Sequence, residues 1–284
     1  MKNLITTLGV AVILSAAAHT AAAVTVTPGG DAFDLASGFT SANPAATGDF
    51  IETSGTHQVG TFTDGDLTIG IVSGIVLSTG NVAGINPLAS FPPYLSTDYS
   101  GSPGASTAAL VDQISAFGTP FADFDTVRFS MTVTPGLGDD YVNFRLGYLT
   151  SEISPADVFG IYVDEVFTGY VGGAAIDQAH PWMQAASSGI GFSHAFFLDG
   201  LATNPESLIV SLAIPNPGSA FQLDFVLVDA FDGNTDTAVF LGDFSLSSSA
   251  LGTVAIPEPG TVGLFTAAGL FLVLFRKRAR RSSV

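Results

Sequence analysis

The stretch TVRFSMTVT, Thr126 to Thr134, alternates polar and apolar side chains without a break. Val127, Phe129, Met131 and Val133 would share one face of an extended chain, and Thr126, Arg128, Ser130 and Thr132 the other. A period of two is the signature of a strand with one face on a core. The pattern recurs in YVNFRLGYL (141–149), SLIVSLA (207–213) and FQLDFVLVD (221–229), and VFGIYVD (158–164) and AVFLGDFSL (238–246) read as further strands. Gly, Pro, Asn and Asp clusters separate these runs, as turns require. TAALVDQISAF, Thr107 to Phe117, is the best helical candidate. Many short strands with few helices predict an all-β fold, an antiparallel β-sandwich of jelly-roll-like type. The apolar fraction of 47% is enough to fill such a core and argues against disorder.

Charge divides the chain sharply. Between Val24 and Ile256 there are 24 acidic residues and only two basic ones, Arg128 and Arg145, a net charge of −22 before histidine. That body should repel nucleic acid, whose phosphates need Lys and Arg, and anionic glycans or lipids unless divalent cations bridge them. Solubility outside the cell explains the acidity as well as calcium loading does. The chain has no cysteine, which removes disulfides, thiolate metal sites and cysteine nucleophiles.

The two ends read as addresses. Residues 1–23 have a basic start at Lys2, an apolar run from Leu8 to Ala18 and small residues at Ala21 and Ala23 before Val24. This is the layout of a cleaved signal peptide, which implies the Sec translocon and signal peptidase as partners. The body is assigned to residues 24–250. Residues 255–284 form a tail: Pro257-Glu258-Pro259, then sixteen uncharged residues from Gly260 to Phe275, then Arg276, Lys277, Arg278, Arg280 and Arg281. Sixteen helical residues span about 24 Å, short for a hydrocarbon core of roughly 30 Å but workable if the arginines snorkel. The basic cluster acts as a stop-transfer signal and leaves the body outside the inner membrane. Two prolines keep the preceding segment extended. On physical grounds alone it suits a processing enzyme or a stiff spacer equally.

Few residues point to chemistry. Asp229, Asp232, Asn234 and Asp236 in DAFDGNTD, with Gly233 for the bend, place hard oxygen donors close together, a set that calcium would take. The same residues are what an acidic hairpin turn contains. Gly138-Asp139-Asp140 is a weaker acidic turn. Glu152 and Asp157 are the best pair for glycoside hydrolysis, which uses two carboxyl groups, although acids are common enough here to pair by chance. His19, His57, His180 and His194 lack metal-ligand spacing, and no G-x-S-x-G elbow or phosphate-binding loop occurs. Trp182 could stack on a sugar ring or simply pack. No catalytic residue is assigned, no cofactor beyond that calcium is implied, and the chain is read as a non-enzyme.

Two resemblances extend this reading. The tripeptide, short apolar segment and Arg-rich run together resemble the PEP-CTERM sorting signal of Gram-negative bacteria that make exopolysaccharide. The resemblance implies an exosortase-type enzyme as partner, with Pro257, Glu258 and Pro259 as the residues it recognises. GIVLSTGN (74–81) resembles a signature of the choice-of-anchor L domain. TGDFIETSGTHQVGTFT upstream, FDTVRFSMTV, YLTSEISPADVFGIYVD and DAFDGNTDTAVFLGDFSL resemble other parts of that family, over roughly residues 45–248. Ile153 stands where the family has a second Glu and Ala156 where it has Asn. Together the resemblances imply a protein of the cell envelope, outer surface or exopolysaccharide matrix with a structural or adhesive role, held at the inner membrane only in transit. A carbohydrate-binding or carbohydrate-cleaving protein with the same tail is the alternative. On residues alone, GIVLSTGN is a short buried strand ending in a turn where Gly80 and Asn81 could accept positive φ.

Overall fold

A computed structural model describes residues 24–65, 69–85, 99, 103–115, 125–150, 157–168, 176–177, 180, 183–185, 194–196, 207–229, 237–252 and 254–255. Among them, fourteen strands form two sheets. The larger contains β1 (Thr25–Pro28), β3 (Val59–Thr63), β4 (Gly74–Ser78), β13 (Thr237–Ser247) and β6 (Tyr141–Thr150) in that spatial order. Beyond β6 lie β10 (His194–Phe196), β9 (Met183–Ala185), β11 (Leu208–Ala213) and β14 (Val254–Ala255). The smaller sheet has the order β2 (Ala46–Thr53), β5 (Thr126–Val133), β12 (Phe221–Val228), β7 (Val158–Val163), β8 (Val166–Phe167). Every pairing is antiparallel except β11 with β14. The expected all-β, antiparallel architecture is thus present.

The sheets share one core. Val127, Phe129, Met131 and Val133 of β5 and Leu223, Phe225 and Leu227 of β12 meet Val142, Phe144 and Leu146 of β6 and Ile75 and Leu77 of β4. Phe225 stacks between Phe129 and Phe159 and meets Phe144 edge-on at 5.4 Å. Such offset and edge-on ring pairs each contribute about 0.5–1.5 kcal/mol beyond area burial.

A helix, α1 (Ala32–Thr40), closes one side of this core. Asp31 and Asp34 form a capping box at its start, and its apolar residues Leu35, Ala36 and Phe39 are buried. Phe39 touches both sheets, with ring centroids 5.8 Å from Phe144 and 5.4 Å from Phe225. The second helix, α2 (Ala105–Ser115), falls within two residues of the predicted span. It lies on the outer face of the smaller sheet, where Leu110, Val111 and Ile114 pack on Val158, Tyr162, Val226 and Val228.

The expectation of half-buried strands changes on both outer faces. The polar face of β5 is not solvated: Thr126, Arg128 and Ser130 are all buried, as is Asp224 beside them on β12. The outer face of the larger sheet is covered too, by a second apolar cluster that includes Val26, Phe62, Val76, Val82 and Phe240.

Candidate functional site

The motif GIVLSTGN ends in a buried polar knot. Ile75, Val76 and Leu77 are fully buried in β4, and Thr79 follows the strand. The Thr79 hydroxyl donates to Asp157 Oδ2 at 2.9 Å and accepts from the Thr237 amide at 2.9 Å. Gln58 donates from its amide to the Thr79 carbonyl at 2.8 Å. Thr237 and Thr150 are joined through their hydroxyls at 2.9 Å, and the Tyr148 hydroxyl donates to the Asp157 carbonyl. Thr79, Asp157, Thr150, Thr237 and Gln58 are each 0% exposed. Residues from four of the stretches that resemble the family therefore meet at one point, and these polar residues hold strand ends together. Neither Gly80 nor Asn81 takes positive φ. The turn is closed instead by the Ser78 hydroxyl accepting from the Gly80 amide and the Asn81 side chain accepting from the Ala83 amide.

A different place offers room for a ligand. Val59, Thr61 and Thr63 share one face of β3. Val59 belongs to the central core, Thr61 is half-buried and Thr63 is exposed. Register pairs Thr61 with Thr27 and Thr63 with Thr25, so the inner face of the sheet turns from aliphatic to hydroxylated at its β1 edge. Opposite stand Asp34, Ser37, Gly38 and Ser41 of α1 and its C-cap. Between them lies a cleft of about 660 Å³. Gly38 sets the approach of helix to sheet: a Cβ there would sit 3.0 Å from Thr61 Cγ2. Gly29 and Gly30, at φ 89° and 110°, turn the chain from β1 into α1 along the cleft wall. The lining has one carboxylate, Asp34, and no basic residue.

The third polar feature is the buried ion pair on the outer face of the smaller sheet. Arg128 Nε and Nη2 donate to Asp224 Oδ1 at 3.0 and 2.8 Å. The guanidinium lies over the Phe50 ring, 4.5 Å from its centroid. Arg128 is 1% exposed and Asp224 0%. Arg128 Nη1 and Asp224 Oδ2 make no hydrogen bond among the described residues. Burial pushes the Asp224 carboxyl above its ordinary range, against the pull of its hydrogen bonds to Arg128 and Ser130. Burial and the Asp224 charge likewise push the Tyr162 phenol up. Tyr162 stays a donor, to the Leu110 carbonyl of α2 at 2.8 Å.

The residues singled out from sequence fare unevenly. Asp229 is buried, with its amide bonded to the Asp125 carbonyl. Asp232, Asn234 and Asp236 lie outside the described residues, and so do Glu152, Trp182, Ala21, Ala23, Pro257 to Pro259 and the basic cluster 276–281. Asp139 accepts from the Gly136 amide within its own turn. Among the described residues no three His, Cys, Asp or Glu side chains form a metal-sized group, and no helix is long and apolar enough to cross a membrane. The cleft and the Arg128–Asp224 pair do not stand out as sites in the sequence. A signal for the pair is nevertheless there: Arg128 is one of two basic residues in a body of 24 acids. The signal for the cleft is four threonines in the alternating positions of TVTP and VGTFT, of which Thr27, Thr61 and Thr63 line it.

No family model and no curated protein matches the chain. Among solved structures, a β-glucosidase from Kluyveromyces marxianus aligns at 14% identity and a TM-score of 0.21, over 43% of this chain and 12% of that one. The enzymatically active domain of tailspike protein 4 from Bacteriophage CBA120 aligns at 11% identity and a TM-score of 0.28, over 75% and 21%. This chain thus spans about a fifth or less of each, and at these scores neither likeness carries an argument about function.

Proposed function

We propose that this is an exported, non-enzymatic protein of the bacterial envelope or exopolysaccharide matrix, a jelly-roll-like choice-of-anchor L domain with a structural or adhesive role. An exosortase-type enzyme sorts it through its PEP-CTERM tail after signal-peptide removal. The observation that carries this reading is the ordered triple of Pro257-Glu258-Pro259, sixteen uncharged residues and the basic run from Arg276 to Arg281. The three parts divide the physical work among them. The extended segment gives an enzyme something to grip, the apolar run supplies a span, and the charge stops transfer. The body suits the role. Its stability comes from packing rather than disulfides, and its acidity favours solubility outside the cell.

Geometry adds one supporting detail. The last described strand, β14, pairs Val254 with Val210 and Ala255 with Ser211. The tripeptide begins two residues later, so a cut there would leave the body's final pairing in place. The test is mass spectrometry of the C-terminal peptide of the protein taken from its host's envelope and medium. A terminus at or near Pro257–Pro259, bare or modified, is expected. An intact Val284 confined to the membrane fraction would replace sorting with permanent anchoring.

A further inference from the structure

We propose that the cleft between α1 and the threonine-bearing edge of the larger sheet binds a neutral saccharide. This deepens the adhesive part of the proposed function and rests on it.

The first argument is placement. Thr61 and Thr63 occupy strand positions in phase with Val59, a core residue, and Thr27 stands opposite Thr61. A sandwich that only needed to close this edge would continue the aliphatic face, because hydroxyls facing a helix add no apolar burial. Here the helix also turns small residues to the gap, Ser37 with its hydroxyl and Gly38, and the two walls leave about 660 Å³ between them. That lies within the usual range of small-ligand clefts, about 300–1,000 Å³.

The second argument is chemistry. Hydroxyls can both donate and accept, which matches a polyhydroxylated ligand whose groups do the same. The one carboxylate, Asp34, is at the rim and shared with the capping box through the Asp31 amide. No basic residue lines the cleft, and the chain's net charge is −17. An anionic ligand is therefore repelled, whereas a neutral one is not. An extended peptide would use the backbone edge of β1 and pockets for its side chains. The cleft offers glycine and hydroxyls in place of such pockets, which favours the saccharide.

The test uses the full chain purified in a detergent without sugar head groups. Maltotriose, cellotriose and N,N′,N″-triacetylchitotriose are titrated, with tri-galacturonate as the anionic comparison, by saturation-transfer NMR and calorimetry. At least one neutral trisaccharide should bind saturably below about 10 mM, a range that captures even millimolar affinity. Thr27→Val combined with Thr61→Val removes the hydroxyls at constant shape and should weaken that binding at least about tenfold, roughly 1.4 kcal/mol. Ser37→Leu, which fills the cleft from the helix side, should do the same and serves if the valine pair does not fold. The proposal is overturned if no neutral trisaccharide binds, if tri-galacturonate binds as tightly, or if binding persists in the folded variants. Persistence in the variants would place the saccharide elsewhere on the molecule. The C-terminus is measured in parallel on the protein taken from its host's envelope and medium. A processed terminus on the host-derived protein together with no binding would sink the cleft and leave sorting intact, and an intact Val284 there together with binding would do the reverse.

Discussion

Arg128 shows how much a single side chain is constrained here. Its charge is buried against Asp224, with only one carboxylate oxygen engaged and one guanidinium nitrogen unsatisfied among the described residues. Desolvating both ions offsets much of their attraction, so the pair as a whole adds little stability, while breaking it strands a buried charge. Glu165 approaches to 3.9 Å but is 62% exposed, too solvated to stand in for Asp224. Arg128→Met alone should therefore cost about 3–5 kcal/mol in urea unfolding, whereas Arg128→Met with Asp224→Leu should be near neutral or stabilising. Equal losses in single and double variants would show that the pair is net stabilising. The sign with pH follows from the raised Asp224 pKa. As pH climbs through the ordinary carboxylate range, the unfolded chain releases this proton before the folded one, so stability falls across that window. Between about pH 4 and pH 7 the wild type should lose more stability than the double variant. A parallel pH dependence in both would remove Asp224 as the source.

At the scale of elements, α2 is a strap tied down at several points. The Glu52 carboxylate of β2 accepts from the Gly104 amide and, at 2.6 Å, from the Thr107 hydroxyl at the helix start. Farther along, Tyr162 bonds the Leu110 carbonyl, and Gln113 bonds the Glu165 carbonyl and the Phe167 amide. A short helix depends on such contacts more than on propensity. Glu52→Ala should raise hydrogen exchange across residues 105–115 several-fold while leaving the amides of β5 and β12 at their wild-type rates. Uniform acceleration throughout the molecule would mean that α2 is part of the global unfolding unit. The helix is legible in TAALVDQISAF, and the long strands are legible in their alternation. What alternation cannot reveal is that the polar side of β5 is covered, with Phe50 over Arg128, Gln222 bonded to Ser130 and Ser54 bonded to Thr126. α1 is hidden in the sequence because it is short and contains Gly38, Thr40 and Phe39. It forms because the Asp31–Asp34 box starts it and Phe39 fills a gap between sheets. β9, β10 and β14, of two or three residues each, are too short for any period to show. The polar knot follows the same logic: GIVLSTGN reads as strand and turn, but its partner Asp157 lies 78 residues away.

Over the whole molecule, the order of strands makes the body one cooperative unit. β13, the last long strand, sits between β4 and β6, with Ala238 opposite both Ser78 and Leu149. β12 in turn holds β5 and β7 together. Neither sheet can be completed from the first two hundred residues, and non-local pairing of this kind slows folding. A chain stopped at Asp236 lacks β13 and leaves β4 and β6 without their shared neighbour, removing Val239 and Leu241 from the core. It should show no cooperative thermal transition by circular dichroism. A chain stopped at Ile256 keeps every described strand and should melt within about 2 °C of the full-length protein, a shift worth about 0.5–1 kcal/mol at most for a body of this size. The contrast between these two endpoints tests the proposed processing point as well as the fold. If the chain ending at Ile256 were also unable to fold, removal of the tail would destroy the body it is meant to deliver, and sorting by cleavage at Pro257–Pro259 would have to be abandoned.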